Sequence, residues 1–592
     1  MVRKGELAIA DNDLASARRF YTNAARRTPD SAAIQHRLGM VLAALGQRSS
    51  AAEHLATAMR LDPARIAAAR ELERILTQGV LPERTRLDSE GLIAAIAFDT
   101  LDRDLMCAAA MHQLASANPL ANLLSHAREV GFDIVARRQC VERTRDLLTN
   151  ALFITVLEHG IITRHDIERL LAAIRKALLL DLAEHRLQEA NLNRFVAALL
   201  KQCWRNEFVW FETDAEKAQL DNMTVDPEAI ASGNMQAWHK LVVASAYRPP
   251  ESLLPGSLPQ EFFEKLPDTP VRSAFMQRLD EISRIRIYSQ AIPVLGSLAD
   301  DTSRRVASQY EVNPYPRWTA APVYPESNYF DHIAHHFAPG RLAFSSRPFN
   351  VLVAGCGTGR QAVSAALDYG PNAQITALDI SASSLGYAAF MADKFKTKNI
   401  SFHYGDINKI LDDQPSFVER FHIIECGGVL HHMADPFEAW KKLIRCLAPG
   451  GIMAIGLYSS TARRNLPALR AQKDCPGPAA SDTELRTWRH TLFERQTFPG
   501  SEFLRNRDCY VASGFRDLFL HVNEHVTSLP EIKNFLANNG LAFNGFVDLP
   551  VEALQRDFPE ATSPGDLDQW AAWEEQHPNA FAGMYQFWCS HV

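Results

Sequence analysis

Residues 349–360 read FNVLVAGCGTGR, an apolar run that ends directly in glycines at 355, 357 and 359. A run that short, bounded by glycine, suits a strand buried on both faces, and the alternate glycines let the chain turn with positive φ close to another group. The same arrangement recurs downstream. QITALD ends at Asp379, ISFHY runs into Gly405 and Asp406, FHIIE covers 421–425, and IMAIGL follows a turn at Pro449-Gly450-Gly451, with helix-spaced segments between them. Strands alternating with helices predict a doubly wound parallel α/β sheet. Asp435-Pro436-Phe437-Glu438 and Ser528-Leu529-Pro530-Glu531 read as helix starts, each with a cap, a proline and a glutamate reaching back. The last two strands, LAFNGFV and MYQFWCS, are read without a helix between them and must then pair antiparallel.

The order of the glycines selects among ligands. A dinucleotide turn needs G-x-G-x-x-G, and Arg360 stands where the third glycine would let the helix approach its strand. A P-loop needs a Gly-Lys-Ser/Thr that does not follow. A nucleoside without pyrophosphate fits better. Asp379, 20 residues past Gly359 at a strand end, can accept hydrogen bonds from both ribose hydroxyls, and Asp406, at the next strand end, from an adenine amine.

Taken in order, VLVAGCGTG, the acidic end of ITALD, YGD, IIECGGVLHHM and LAPGG resemble the motifs of the class I, seven-strand S-adenosylmethionine-dependent methyltransferases, so that 349–592 is similar to their Rossmann-like domain. The resemblance implies that Gly355, Cys356, Gly357 and Gly359 line the methionine portion of the cofactor, and that Asp379 with Ile380 holds the ribose. It further implies that Asp406 and Ile407 hold the adenine, while Glu425, Cys426 and Gly427 sit beside the sulfonium. S-adenosylhomocysteine is the implied product. Transfer from a sulfonium is an in-line displacement, so the protein's task is to align the acceptor and exclude water. Where the acceptor must lose a proton, His431 and His432 are the candidate bases.

Two segments flank this machinery. YEVNPYPRW (310–318) is too irregular for helix or strand, and Tyr310, Tyr315, Arg317 and Trp318 read either as a lid over a sulfonium, which favours aromatic faces, or as an interdomain strap within 310–348. An insertion, about 458–527, follows the fifth strand, where long inserts usually define the substrate. Its end, HVNEH (521–525), matches H-x-x-E-H, but a zinc site needs a helix through the motif, and this one precedes a fresh helix start. His521, Glu524 and His525 are therefore expected at the edge of an acceptor pocket or as surface hydrogen-bonders, with no metal.

Residues 1–76 superimpose on themselves at a shift of 34: Gly5 on Gly39, Asn12 on Gly46, Tyr21 on Leu55, Pro29 on Pro63. That is the period of a helix-turn-helix solenoid, and the segment resembles tetratricopeptide repeats, with Arg65–Leu76 as a capping helix. Repeats followed by such a domain are similar to bacterial tetratricopeptide-repeat methyltransferases, which implies a peptide or protein partner, or self-association, through the repeats. From 77 to 309 the spacing is mainly helical and carries no chemical motif; Trp204, Phe208, Trp210 and Phe211 read as core.

Composition narrows the remaining classes. At 592 residues, 47% hydrophobic and 22% charged, the chain is a globular protein of several domains, and a net charge of −7 gives no general attraction to nucleic acid or anionic membrane. Only 1–76, with 12 basic against 8 acidic residues, is locally positive. Nine scattered cysteines without a C-x-x-C pair, and no long apolar segment, lead to the expectation of a cytoplasmic protein. The expected activity is methyl transfer to a protein or peptide side chain or to a small metabolite. The competing expectation is a non-enzymatic repeat scaffold with a vestigial methyltransferase fold.

Overall fold

The computed structural model describes residues 1–592 except 117, 140–144, 181–192, 255–259, 324–328, 496, 548, 550 and 560–564. Cys140 and parts of the helical 77–309 region thus lie outside the described residues. The eight described cysteines form no disulfide. None of the described helices is long and apolar enough to cross a membrane.

Seven strands form one sheet: β1 (Phe349–Ala354), β2 (Ala373–Asp379), β3 (Ile400–Tyr404), β4 (Phe421–Cys426), β5 (Leu447–Leu457), β6 (Leu541–Phe546) and β7 (Tyr585–His591). Their order is β3-β2-β1-β4-β5-β7-β6; β1 to β5 are parallel, and β7 is antiparallel to both neighbours. The run 351–354 is buried on both faces, as an inner parallel strand requires. Asp435 caps its helix by accepting from the N–H groups of Phe437 and Glu438, although Glu438 pairs with Lys441 instead of reaching back. Ser528 and Glu531 do form the reciprocal capping box.

Two expectations are corrected. Pro449-Gly450-Gly451 lies inside β5, not before it: the register with β4 jumps from Phe421↔Leu447 to Ile423↔Ile452, and Gly450 at φ +78° takes up the extra length as a bulge. Two helices, Val551–Asp557 and Leu567–Gln576, separate β6 from β7. The pairing is antiparallel nonetheless, with Phe546 beside Phe587.

At the N-terminus, α1 (Val2–Ala10) and α2 (Leu14–Arg27) are followed by α3 (Ala32–Ala44) and α4 (Arg48–Leu61), and α2 shifted by 34 residues coincides with α4. Tyr21 and Leu55 stand over Gly5 and Gly39, while Asn12 and Gly46 take the left-handed conformation at φ +58° and +72°. α5 (Ile66–Thr77) covers α4 with buried Ala68, Ala69, Leu72 and Ile75. The opposite face, with Leu7 59% exposed, stays open.

The apolar core of this helical region does not stop at the domain boundary read from the sequence. Leu469, Leu485, Trp488, Leu492, Phe515 and Phe519 of the insertion belong to the same buried cluster as Leu170, Phe195, Trp204, Trp210 and Phe275. Buried ion pairs fix the register of this contact. Arg489 donates two bonds to Glu168, at 2.7 and 2.6 Å, and Glu212 accepts from both Arg248 and Arg486. Trp204, Phe208 and Trp210 are core, while Phe211 is half-buried and stacks on His490 of the insertion at 4.3 Å.

Candidate functional site

A cavity of about 460 Å³ opens at the carboxyl ends of β1, β2 and β4, where the sheet meets the insertion. Its first half is built from backbone. Gly355, Gly357 and Gly359 have φ of +73°, +51° and +83°. A Cβ on Gly355 would lie 2.4 Å from a methyl of Val429, and one on Gly359 would lie 2.5 Å from Cβ of Ala388. Positions 355 and 359 therefore admit only glycine, and the turn delivers the helix Arg360–Asp368 with its N-terminus at the cavity. Cys356, Ile380, Ile407 and Gly427 also line the space.

Two carboxylates stand at neighbouring strand tips. Asp379 accepts from the N–H of Gly357 at 2.8 Å and of Ser381 at 2.9 Å, and burial outweighs these bonds, raising its pKa to about 6. Asp406 accepts from Asn408 N–H at 2.8 Å and from Ala299 N–H at 2.9 Å, which ties the strand tip to the segment before the helix Asp301–Val312. Each oxygen keeps a lone pair for a ligand hydroxyl or amine. Backbone without side chains, two acceptors and apolar Ile380 and Ile407 fit an adenosine-type ligand.

Glu425 and Cys426 do not line the cavity. Glu425 lies beneath it, bonded to the Tyr369 hydroxyl and to Gln361, and burial pushes its pKa up to about 7; Gln361 itself faces the cavity. Cys426 is packed into the core under the sheet, its thiol raised to about 12 by burial.

The second half of the cavity is built from side chains. Tyr310, at the end of the helix Asp301–Val312, donates to Asp517 at 2.6 Å, and Tyr315 donates to Asp508 at 2.9 Å. Tyr458, His432 and Asp517 complete the wall. Hydrogen-bond partners determine the tautomers. His432 Nδ1 lies 2.9 Å from the Asn523 carbonyl, which only accepts, so Nδ1 carries the hydrogen and Nε2 a lone pair. His521 Nδ1 accepts from Asn523 N–H at 3.0 Å, so its Nε2 carries the hydrogen and donates to the Tyr310 oxygen at 3.2 Å. The two imidazoles stack at 3.7 Å, and burial lowers both to about 3, so both are neutral.

One atom from each of His432, Asp517 and His521 can be chosen so that all lie within 4.8 Å of one another. With His521 Nδ1 taken by the Asn523 N–H and its Nε2 donating to Tyr310, these groups are linked as a chain of donors and acceptors. HVNEH is a loop, as expected, and only its first histidine reaches this chain. Glu524 is turned away into ion pairs with Arg463 at 2.8 Å and Arg470 at 3.0 Å, and His525 meets His431 only through the backbone.

Three other candidates fall outside the cavity. His431 is fully buried, stacks on Tyr458 at 3.6 Å and has neither ring nitrogen hydrogen-bonded to a described residue. Trp318 is buried against Val363, Tyr387 and Met391 and donates to the Thr358 carbonyl at 2.9 Å. Arg317 faces Glu207 at 3.4 Å. Both Arg317 and Trp318 border a different cleft, about 610 Å³, between the helical region and the sheet. The 310–318 segment thus divides its work: the tyrosines face the cavity, and the Arg-Trp pair straps the domains together.

Sequence reasoning missed Asp517, Asp508, Tyr458, Asn523 and Gln361 as site residues. Each sits in a segment whose local pattern announces only a helix or a loop, and their convergence depends on the insertion folding back over the sheet.

Residues 346–495 match a family model described as a methyltransferase domain. An uncharacterised protein of Synechococcus is 27% identical over 280 residues, covering 43% of this chain and 62% of that protein. A ubiquinone biosynthesis O-methyltransferase of Coxiella burnetii is 32% identical over 139 residues, covering 23% of this chain and 54% of the relative. The chain therefore spans roughly half to two thirds of the length of these relatives. Among solved structures, PKMT2 from Rickettsia typhi in complex with AdoHcy is 17% identical with a TM-score of 0.32, over 47% of this chain and 55% of that one. The family match falls on the same stretch as the glycine turn and the two strand-tip carboxylates, so residues 346–495 are similar to a methyltransferase domain where the cavity is built.

Proposed function

We propose that this protein is an S-adenosylmethionine-dependent methyltransferase. The observation that carries the reading is one cavity whose first half is a glycine-rich turn with two buried carboxylates at adjacent strand tips. Gly355, Cys356 and Gly357 would hold the methionine portion, Gly359 would set the turn from behind, Asp379 and Ile380 the ribose, and Asp406 and Ile407 the adenine. When bound, the cofactor supplies an activated methyl group. The chain's own work is to orient the acceptor and keep water out, for which the tyrosine-lined half is suited. The acceptor class spans protein or peptide side chains and small metabolites. The helix pairs of 1–76 are read as tetratricopeptide-like, offering a surface for a peptide partner or a second copy.

Calorimetric titration with S-adenosylhomocysteine tests the reading. Saturable binding is expected, weakened about thirtyfold by Asp379→Ala through loss of a charged hydrogen-bond acceptor. No binding by the intact protein favours a non-enzymatic scaffold instead.

A further inference from the structure

We propose that the methyl acceptor is an amine that enters the cavity as an ammonium ion, held by Asp517 and a wall of three tyrosines. This rests on the methyltransferase reading and adds the class of substrate.

The argument begins with charge. Asp517 is buried and lines the chamber, Asp508 is half-buried behind it, and neither has a described bond to an arginine or lysine. Asp517 has no described salt-bridge partner, and the nearest cation, Arg463, is engaged with Glu524. The Arg507 guanidinium near Asp508 pairs with Asp104. What the two aspartates do have is phenols: Tyr310 on Asp517 and Tyr315 on Asp508. Phenol bonds orient a carboxylate without neutralising it, and burial raises both aspartates above the ordinary carboxylate range, helped by the Asp517 charge at Asp508 and by the Glu524 charge at Asp517. The chamber therefore holds uncompensated negative charge behind aromatic faces, the environment that attracts an organic cation.

The hydrogen-bond inventory points the same way. Facing the cavity are a free lone pair on Asp517, the Nε2 lone pair of neutral His432, and the phenol oxygens. The free positions are chiefly acceptors. A hydroxyl acceptor substrate offers one hydrogen, and a carboxylate offers none, whereas a primary ammonium offers three. The raised pKa also suits Asp517 to take up a proton. The ammonium gives one proton to the Asp517 carboxylate; the freed nitrogen lone pair then forms the N–C bond as the C–S bond breaks, with the electron pair going to sulfur. Positive charge moves from sulfur to nitrogen, and the proton rests on Asp517.

The test is a competition of probes on the protein saturated with S-adenosylhomocysteine, read by calorimetry or ligand-observed NMR at pH 7. n-Butylammonium is expected to bind saturably and at least tenfold tighter than n-butanol, and Asp517→Asn to remove most of that preference while leaving S-adenosylhomocysteine affinity within about threefold. Tyr315→Phe provides a second variant if Asp517→Asn does not fold; it is expected to weaken n-butylammonium by several-fold and n-butanol hardly at all. Equal binding of the two probes, or no n-butylammonium binding up to 100 mM, overturns the proposal. Nα-acetyl-lysine methylamide in the same assay separates the sources: tighter binding than n-butylammonium indicates a peptide-borne amine, weaker binding a free one. If S-adenosylhomocysteine itself fails to bind, it is the methyltransferase reading that fails, and the probes are then compared on the protein alone.

Discussion

The two halves of the cavity are made in different ways. On the sheet side the wall is main chain, fixed by the φ angles of Gly355, Gly357 and Gly359 and by strand tips whose carboxylates are tied to backbone N–H groups. On the insertion side the wall is side chain, assembled from residues as far apart as Tyr310 and Asp517 and held by phenol–carboxylate and imidazole bonds. A backbone wall tolerates no change of shape but accepts many changes of surroundings. A side-chain wall depends on distant packing and can be retuned one residue at a time.

That difference orders the expected effects. The largest comes from outside the cavity: Glu168→Ala leaves Arg489 buried without its partner, and the loss of about 3–5 kcal/mol should appear in the midpoint of chemical denaturation, with the insertion side failing first in hydrogen exchange. Next, Gly355→Val strikes the backbone wall, where positive φ and the Val429 contact oppose any side chain; a loss of about 2–3 kcal/mol, or roughly 30- to 150-fold in S-adenosylhomocysteine affinity, is expected by calorimetry. A smaller effect follows from Asp379. With its pKa raised to about 6, the group is protonated below that pH and loses acceptor capacity, so S-adenosylhomocysteine affinity should rise about tenfold from pH 5 to pH 7 and then level off; a flat profile would separate ribose recognition from this carboxylate. The smallest effect should come from His431→Phe, which keeps the stack on Tyr458 and removes an imidazole with no hydrogen-bonded partner. Stability within about 0.5 kcal/mol and unchanged S-adenosylhomocysteine affinity would show that this imidazole packs behind the wall without taking part in it.

The same contrast explains what could be read from the sequence. The sheet, its strand ends and the glycine turn were legible because their signal is local: apolar runs, glycines at fixed spacing, an acid at the tips of β2 and β3. Glu425 and Cys426 are adjacent in sequence to a lining residue, yet strand alternation and burial turn them under the sheet. The acceptor side was not legible. Asp517 is one acid among several in a helix, Asn523 a loop residue, and Tyr458 the last residue before an insertion; only tertiary folding brings them to one wall. Arg317 and Trp318 went astray for a related reason, since an aromatic and basic cluster has the same composition whether it covers a ligand or staples two domains.

The shared core between the insertion and the N-terminal helices has a practical corollary. A fragment beginning near residue 349 would keep the turn and the sheet, but it would present to solvent the bare apolar flank that includes Trp488, Phe515 and Phe519. Such a piece is expected to be sticky and catalytically blind, because the scaffold that aims its second wall was left behind. The shape of that second wall thus depends on helices hundreds of residues upstream, and substitutions there could alter it without touching a single residue that lines the cavity.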